Sequence, residues 1–196
     1  MKKRCSWPGQ DELYIAYHDT YWGVPVTEEK ELFAKLILDG AQAGLSWITI
    51  LRKQDNYYRA FDQLDPFIMA EYDQHKQDQL LQNSGIIRNK AKIQAAVSNA
   101  KGFLEIKKRE GSFSRFLWQY VNDQPINNRY TSLKEVPTST PCSDAMSKAL
   151  KQYGFKFCGT NICYAFMQAV GMVNDHMTDC FRHDEISGLH RHFELQ

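Results

Sequence analysis

Nothing in this chain approaches the roughly 18 consecutive apolar residues that a membrane span requires. The start, Met-Lys-Lys-Arg-Cys-Ser-Trp-Pro, lacks the apolar stretch of a secretory signal. The 5 cysteines are odd in number and make no disulfide framework, so reduced thiols, some of them metal-bound, are expected in a cytoplasmic protein. A dominant charge is lacking too, since 24 Lys and Arg against 23 Asp and Glu leave +1. No convincing alternating strand, internal repeat or clean linker divides the 196 residues. What the chain has in excess is aromatic side chains, with 4 Trp, 10 Tyr and 11 Phe, enough to fill a core and exclude a disordered chain.

The near-zero charge hides an uneven distribution. Arg88, Lys90, Lys92, Lys101, Lys107, Lys108 and Arg109 are interrupted only by Glu105, and Lys148, Lys151 and Lys156 follow without an acid among them. These runs either solvate helix surfaces or form a face for phosphates. The periodicity is helical almost throughout. Asp11 caps a helix carrying Tyr14, Tyr17 and His18 on one side. Thr27 is expected to start the next, with Leu32, Phe33, Leu36 and Ile37 at amphipathic spacing up to Gly40 and Gly44. Asp65-Pro66 opens another, and Ser112 caps one after the long helical stretch through Ile93, Ala96, Val97, Ala100, Phe103 and Leu104. Residues 122–141 read as a long connection. Ser143 is expected to open a helix ending near Gly154, and a last helix runs from about Asn161 to Val170 with Gly171 as its stop. The class is therefore all-α.

Two constellations carry chemistry. His176 and Cys180 lie four apart, and with Cys5 and His18 they would complete a Cys2His2 zinc site joining the two ends of the chain; the alternative is surface histidines and incidental cysteines. Cys158 and Cys163 read as core thiols, and Cys142 as a loop residue. His183, His190 and His192 form a weaker candidate cluster or simply a frayed polar terminus. Trp7, Tyr14, Tyr17, Trp22 and Trp47 crowd the first quarter of the chain, and Asp39 interrupts the apolar run Leu36-Ile37-Leu38. Either Asp39 ends a helix in solvent, or it faces a pocket of aromatic rings, which suits a flat cationic ligand such as an extruded nucleobase.

Tyr14-Ile15-Ala16-Tyr17-His18-Asp19, Tyr21-Trp22-Gly23-Val24-Pro25, Gln42-Ala43-Gly44-Leu45-Ser46-Trp47 and Gly154-Phe155-Lys156-Phe157-Cys158-Gly159-Thr160 closely resemble bacterial DNA-3-methyladenine glycosylase I, from about Cys5 to Cys180. The resemblance implies an all-α helix-hairpin-helix glycosylase over residues 1–182, its ends tied by structural zinc on Cys5, His18, His176 and Cys180, followed by a polar tail over 183–196. It implies a base pocket of Trp7, Tyr14, Tyr17, Trp22, Asp39 and Trp47, with Asp39 and Tyr17 as the catalytic candidates. DNA contacts fall on Gly44, Leu45, Lys156, Gly159 and Thr160. The hairpin from Gly154 to Thr160 is expected to offer backbone N–H groups to a phosphate. The resemblance departs at Asp39, where the family ordinarily has glutamate, an arm longer by about 1.5 Å; a bridging water or a backbone shift near Gly40 could restore contact.

The implied substrate is double-stranded DNA with alkylated bases and the product free 3-methyladenine, with no membrane and no obligate protein partner. No catalytic lysine is evident, so a monofunctional hydrolase without strand cleavage is expected, and Asp175 reads as structural beside the metal. Two other readings compete. One is a zinc-stapled helical module that binds damage without excising it. The other is a zinc hydrolase working at the Cys/His site, which four protein ligands would leave without an open position.

Overall fold

Local signals set most helix starts. The Asp11 side chain accepts a hydrogen bond from Tyr14 N at 3.0 Å, Asp65 from Phe67 N at 2.9 Å and Ser112 from Arg115 N at 3.2 Å. In the computed structural model, which describes residues 2–195, these caps open three of the helices α1 (Glu12–Thr20), α2 (Glu29–Gln42), α3 (Trp47–Leu51), α4 (Gln54–Ala60), α5 (Pro66–Met69), α6 (Gln74–Gln82), α7 (Lys90–Glu110), α8 (Phe113–Trp118), α9 (Pro141–Gln152), α10 (Thr160–Ala169) and α11 (Phe181–Arg191). Met1 and Gln196, the outer ends of the two expected units, lie outside the described residues.

Two expected starts move. Glu28, not Thr27, caps α2 by accepting from Glu31 N at 2.6 Å. Thr140 caps α9, with Pro141 in its first turn, and Ser143 is the return partner of a capping box. The connection over 122–141 is present, but Ile126–Asn127 (β1) pairs in parallel with Val173–Asn174 (β2), a two-residue ladder too short to leave an alternating pattern. The expected polar tail is instead α11, which packs on both short strands and buries His183, Ile186 and His190. His183 Nε2 donates to Asn128 O at 3.0 Å, and burial pushes His190 down to about 4, so these histidines are packing residues and join no metal-ligating group among the described residues. Beyond the helix, Phe193 stacks on Trp118 with centroids 4.3 Å apart. No described helix is long and apolar enough to cross a membrane.

The core forms around α2, α7, α8 and α10. Helix α2 is enclosed on all sides, with every residue from Leu32 to Ala41 buried, Lys35 and Asp39 included. The α9–hairpin–α10 unit is pressed onto α7 by Asn99, whose side chain accepts from Lys156 N at 2.8 Å and donates to Lys156 O at 3.1 Å. Gly102 makes that approach possible, because a Cβ there would stand 2.5 Å from Tyr153 O and 2.6 Å from the Phe155 ring. Gly102→Ala should gain about 1 kcal/mol of helix propensity but lose about 3 kcal/mol to overpacking. The expected net loss of about 2 kcal/mol is measurable as a lower urea midpoint at constant m; an unchanged midpoint would show that the hairpin yields freely.

Candidate functional site

The two chain ends meet at a buried tetrad. One ligand atom from each of Cys5, His18, His176 and Cys180 lies within 4.8 Å of the others, although the residues span almost the whole sequence. Cys180 Sγ is 3.5 Å from His18 Nε2 and 3.7 Å from His176 Nδ1, and Cys5 Sγ is 3.7 Å from His176 Nδ1. The outward nitrogens are fixed. His18 Nδ1 donates to Asp19 at 2.8 Å, Asp19 is gripped by Arg4 at 2.7–2.9 Å, and His176 Nε2 donates to Trp22 O at 3.0 Å. Imidazoles held in this way turn their inner nitrogens toward one point, as histidine ligands of a metal do. The sulfurs bear on each other: contact with Cys5 and the two imidazoles draws the Cys180 thiol far down, while Cys180 and burial push Cys5 up. Two thiols and two imidazoles, all buried, fit a closed tetrahedral site whose four protein ligands would leave no open coordination position. Cys158 and Cys163 are buried core thiols as expected, and Cys142 lies in the first turn of α9 rather than in a loop.

Beside the tetrad opens a cavity of about 200 Å³ whose wall includes Trp7, Tyr14, Tyr17, Trp22, Asp39 and Trp47, all six of the expected base-pocket residues. Trp7 links the two places, with its ring 5.2 Å from His18 and 5.1 Å from Trp22. Tyr17 packs 5.4 Å from Trp47, and burial holds its hydroxyl well above the ordinary tyrosine range, so it stays protonated. Asp39 is only 1% exposed, which excludes the solvated helix end. Its Oδ1 accepts a short bond from Lys35 Nζ one turn earlier, while its Oδ2 and the Trp47 Nε1 have no hydrogen-bond partner among the described residues. Burial draws Lys35 down and lifts Asp39 up, each partly countered by the other.

Among the wall residues that the sequence did not assign to the pocket are Asp175 and Lys35. Asp175, which the sequence reading placed beside the Cys/His tetrad, also lines the cavity, held by Asn128 Nδ2 at 2.7 Å and by Tyr164 OH and Gln168 Nε2 at 2.8 Å each. Lys35 was legible only as the position one helical turn before Asp39.

The expected DNA contacts sit on two protruding segments. Gly44, at φ +78°, and Leu45, 41% exposed, form the turn between Gln42 and Trp47, both of which line the cavity. Lys92, in the run read as either a solvated surface or a phosphate face, donates to Ala41 O and Ala43 O at 2.8 Å each and braces this turn. Lys107 and Arg109 are likewise taken up by Glu29 and Glu105. In the hairpin, Lys156 is exposed, but three of the expected N–H donors are used internally: Gly154 by Lys151 O, Phe155 by Leu150 O and Lys156 by Asn99. The first turn of α10, beginning at Gly159 and Thr160, retains the N–H groups a helix start cannot pair.

A helical body with a hairpin between two helices, an aromatic cavity under an exposed turn, and a buried Cys/His tetrad is the architecture of a helix-hairpin-helix base-excision protein, and the chain belongs to the methyladenine glycosylase family, whose model matches residues 7–183. It is 52% identical over 178 residues to the DNA-3-methyladenine glycosylase 1 of Escherichia coli (strain K12), covering 91% of this chain and 95% of that protein. A crystal structure of a 3-methyladenine DNA glycosylase I superposes with TM-score 0.90 at 54% identity, covering 91% of this chain and 98% of the other. A variant of such an enzyme in complex with 3-methyladenine superposes with TM-score 0.88 at 38% identity, covering 91% and 96%.

Proposed function

We propose that this protein excises 3-methyladenine from alkylated double-stranded DNA, turning the damaged nucleotide into the aromatic cavity and hydrolysing its N-glycosidic bond. The observation that carries the reading is the convergence of the five aromatic residues and Asp39 on one cavity beside the Gly44–Leu45 turn. Extrusion costs a few kcal/mol, which stacking at about 1–3 kcal/mol per base offsets. Base selection rests on charge, because a 3-methylated adenine nucleotide is cationic and aromatic faces attract it by about 2 kcal/mol when desolvated. Asp39 Oδ2 accepts a hydrogen bond from the exocyclic amine, and Tyr17, protonated and uncharged, supplies a ring face beside the base.

When the bond between C1′ and the ring nitrogen breaks, its electron pair goes to the base, which leaves neutral. The sugar takes up the positive charge, which the DNA phosphates stabilise, and water adds to C1′ with loss of a proton to solvent. Leu45 enters the vacated stack as an apolar wedge, and Lys156 and the start of α10 hold phosphates. Zinc on Cys5, His18, His176 and Cys180 is structural: it ties the ends of the chain and takes no part in the chemistry. No strand cleavage accompanies excision, and the protein works in the cytoplasm.

Incubation with methylated DNA followed by chromatography should yield free 3-methyladenine. Retention of the damaged DNA without release of base would instead identify a damage-binding module. Lys156→Ala should weaken binding on every DNA sequence and reduce the salt slope by about one. A slope equal to that of the unaltered protein would remove Lys156 from the phosphate contacts.

A further inference from the structure

The cavity already contains a cation of the chain's own. Lys35 is 4% exposed, its Nζ lies 4.0 Å from the centroid of the Trp47 ring, and it bonds Asp39 Oδ1. An aromatic face and a carboxylate are the two features that a cationic base would seek in this pocket. Lys35 also lines a second cavity of about 240 Å³, bounded by Tyr17, Tyr21, Trp47 and Tyr58, which gives its side chain room to withdraw. Asp39 Oδ2 and Trp47 Nε1, on two residues that line the cavity, are buried and have no hydrogen-bond partner among the described residues.

Given that the cavity is the base site, we propose that Lys35 is its specificity-determining residue: a positively charged base takes the ammonium's place between Trp47 and Asp39, and Lys35 gives its proton to solvent as the base enters. The proton balance is one released per cation bound. An uncharged base fits beside the intact ion pair and releases none. Affinity for a cation therefore rises with pH, by up to tenfold per unit, whereas affinity for a neutral base does not. Burial of Lys35 favours the uncharged amine, which eases the exchange.

The surrounding groups leave this titration to Lys35. Tyr14, Tyr17, Tyr21 and Tyr58 are all held above the ordinary tyrosine range, chiefly by burial, and Cys163 of α10 is pushed up in the same way. Asp175 lines the same cavity, bonded to Tyr164 and Gln168, and Glu31 stands by Tyr21. Neither carboxylate forms an ion pair with Lys35, whose partner is Asp39.

The test compares two probes by quenching of tryptophan fluorescence between roughly pH 7 and pH 9. The first is 3,9-dimethyladeninium, a permanent cation with methyl in place of the sugar; the second is 3-methyladenine, uncharged over this range. In the unaltered protein the cation should bind more tightly as pH rises, approaching tenfold per unit, while 3-methyladenine stays level. Lys35→Gln should bind the cation about tenfold more tightly at neutral pH and lose the pH dependence. Lys35→Arg, whose guanidinium keeps its proton, should bind it weakly at every pH. Cation binding that ignores pH in the unaltered protein, or is not tightened in Lys35→Gln, overturns the role of Lys35 while 3-methyladenine binding preserves the base site. If neither probe binds at any pH, the base site and the proposal fall together.

Discussion

Cys180→Ser should cost this protein most of its folding stability. Serine keeps the size but supplies neither the thiolate nor its affinity for zinc, and structural zinc contributes roughly 10–16 kcal/mol of apparent binding energy in small peptides. A domain of this size has only about 5–15 kcal/mol of net stability, so even partial loss is decisive. The tetrad joins the N-terminal segment to the start of α11 and supports the cavity: His176 holds the Trp22 carbonyl, and Trp7 packs on His18. Metal loss should therefore lower the melting temperature and weaken 3-methyladenine binding together. Elemental analysis should find one zinc per chain in the unaltered protein and none in the variant. A metal-free protein that melts unchanged would reduce the tetrad to a hydrogen-bonded cluster.

The members of the Cys/His tetrad and of the aromatic cavity stood out in the sequence as scarce residue types, but spacing alone left surface histidines, incidental cysteines and a solvated Asp39 as alternatives, and it was the family resemblance that singled out both sets. Caps such as Asp11, Asp65 and Ser112 were legible because their bonds span two or three residues. Thr27 and Ser143 misled because glutamate can cap as Glu28 does, and because a proline in the first turn fixes the start of α9. The β1–β2 pairing joins residues nearly fifty apart through only two positions on each strand, below any periodic signal. Helix α11 was hidden by its composition, since Arg182, His183, Asp184 and Glu185 read as solvated chain, yet His183 is buried on the Asn128 carbonyl.

Lys35 illustrates the limit of amphipathic reasoning. A lysine in a helix is ordinarily a solvent-side residue. Helix α2 has no solvent side over its second half, so that default fails, and Lys35 is enclosed beside Trp47 of α3 and the tyrosines of α1 and its C-terminal end. The same enclosure decides how far Asp39 can move. A backbone shift near Gly40 had been one way for its short arm to reach a base, but a Cβ at Gly40 would already stand 3.2 Å from Phe157 O. Helix and hairpin are in close contact there, so the reach of residue 39 depends on its side chain.

Asp39→Asn should slow excision by about 10- to 100-fold, the equivalent of losing a hydrogen bond to a charged group worth about 1.5–3 kcal/mol. The amide keeps the volume but removes the negative charge that favours a cationic base, and it leaves Lys35 without a counter-ion, so that the amine sheds its proton. Binding of free 3-methyladenine should weaken as well, while nonspecific DNA affinity should stay level because the proposed phosphate contacts are Lys156 and the start of α10, not Asp39. Asp39→Glu separates reach from charge. Asp39 lines a cavity of about 200 Å³, so a longer arm that turns into it has room, and excision at least equal to that of the unaltered protein is expected. A severe loss with the fold intact would show that Lys35 and Trp47 have closed around the shorter carboxylate. If Asp39→Asn excised at the unaltered rate, the carboxylate would serve only to neutralise Lys35, and recognition of the base would rest on the aromatic walls alone.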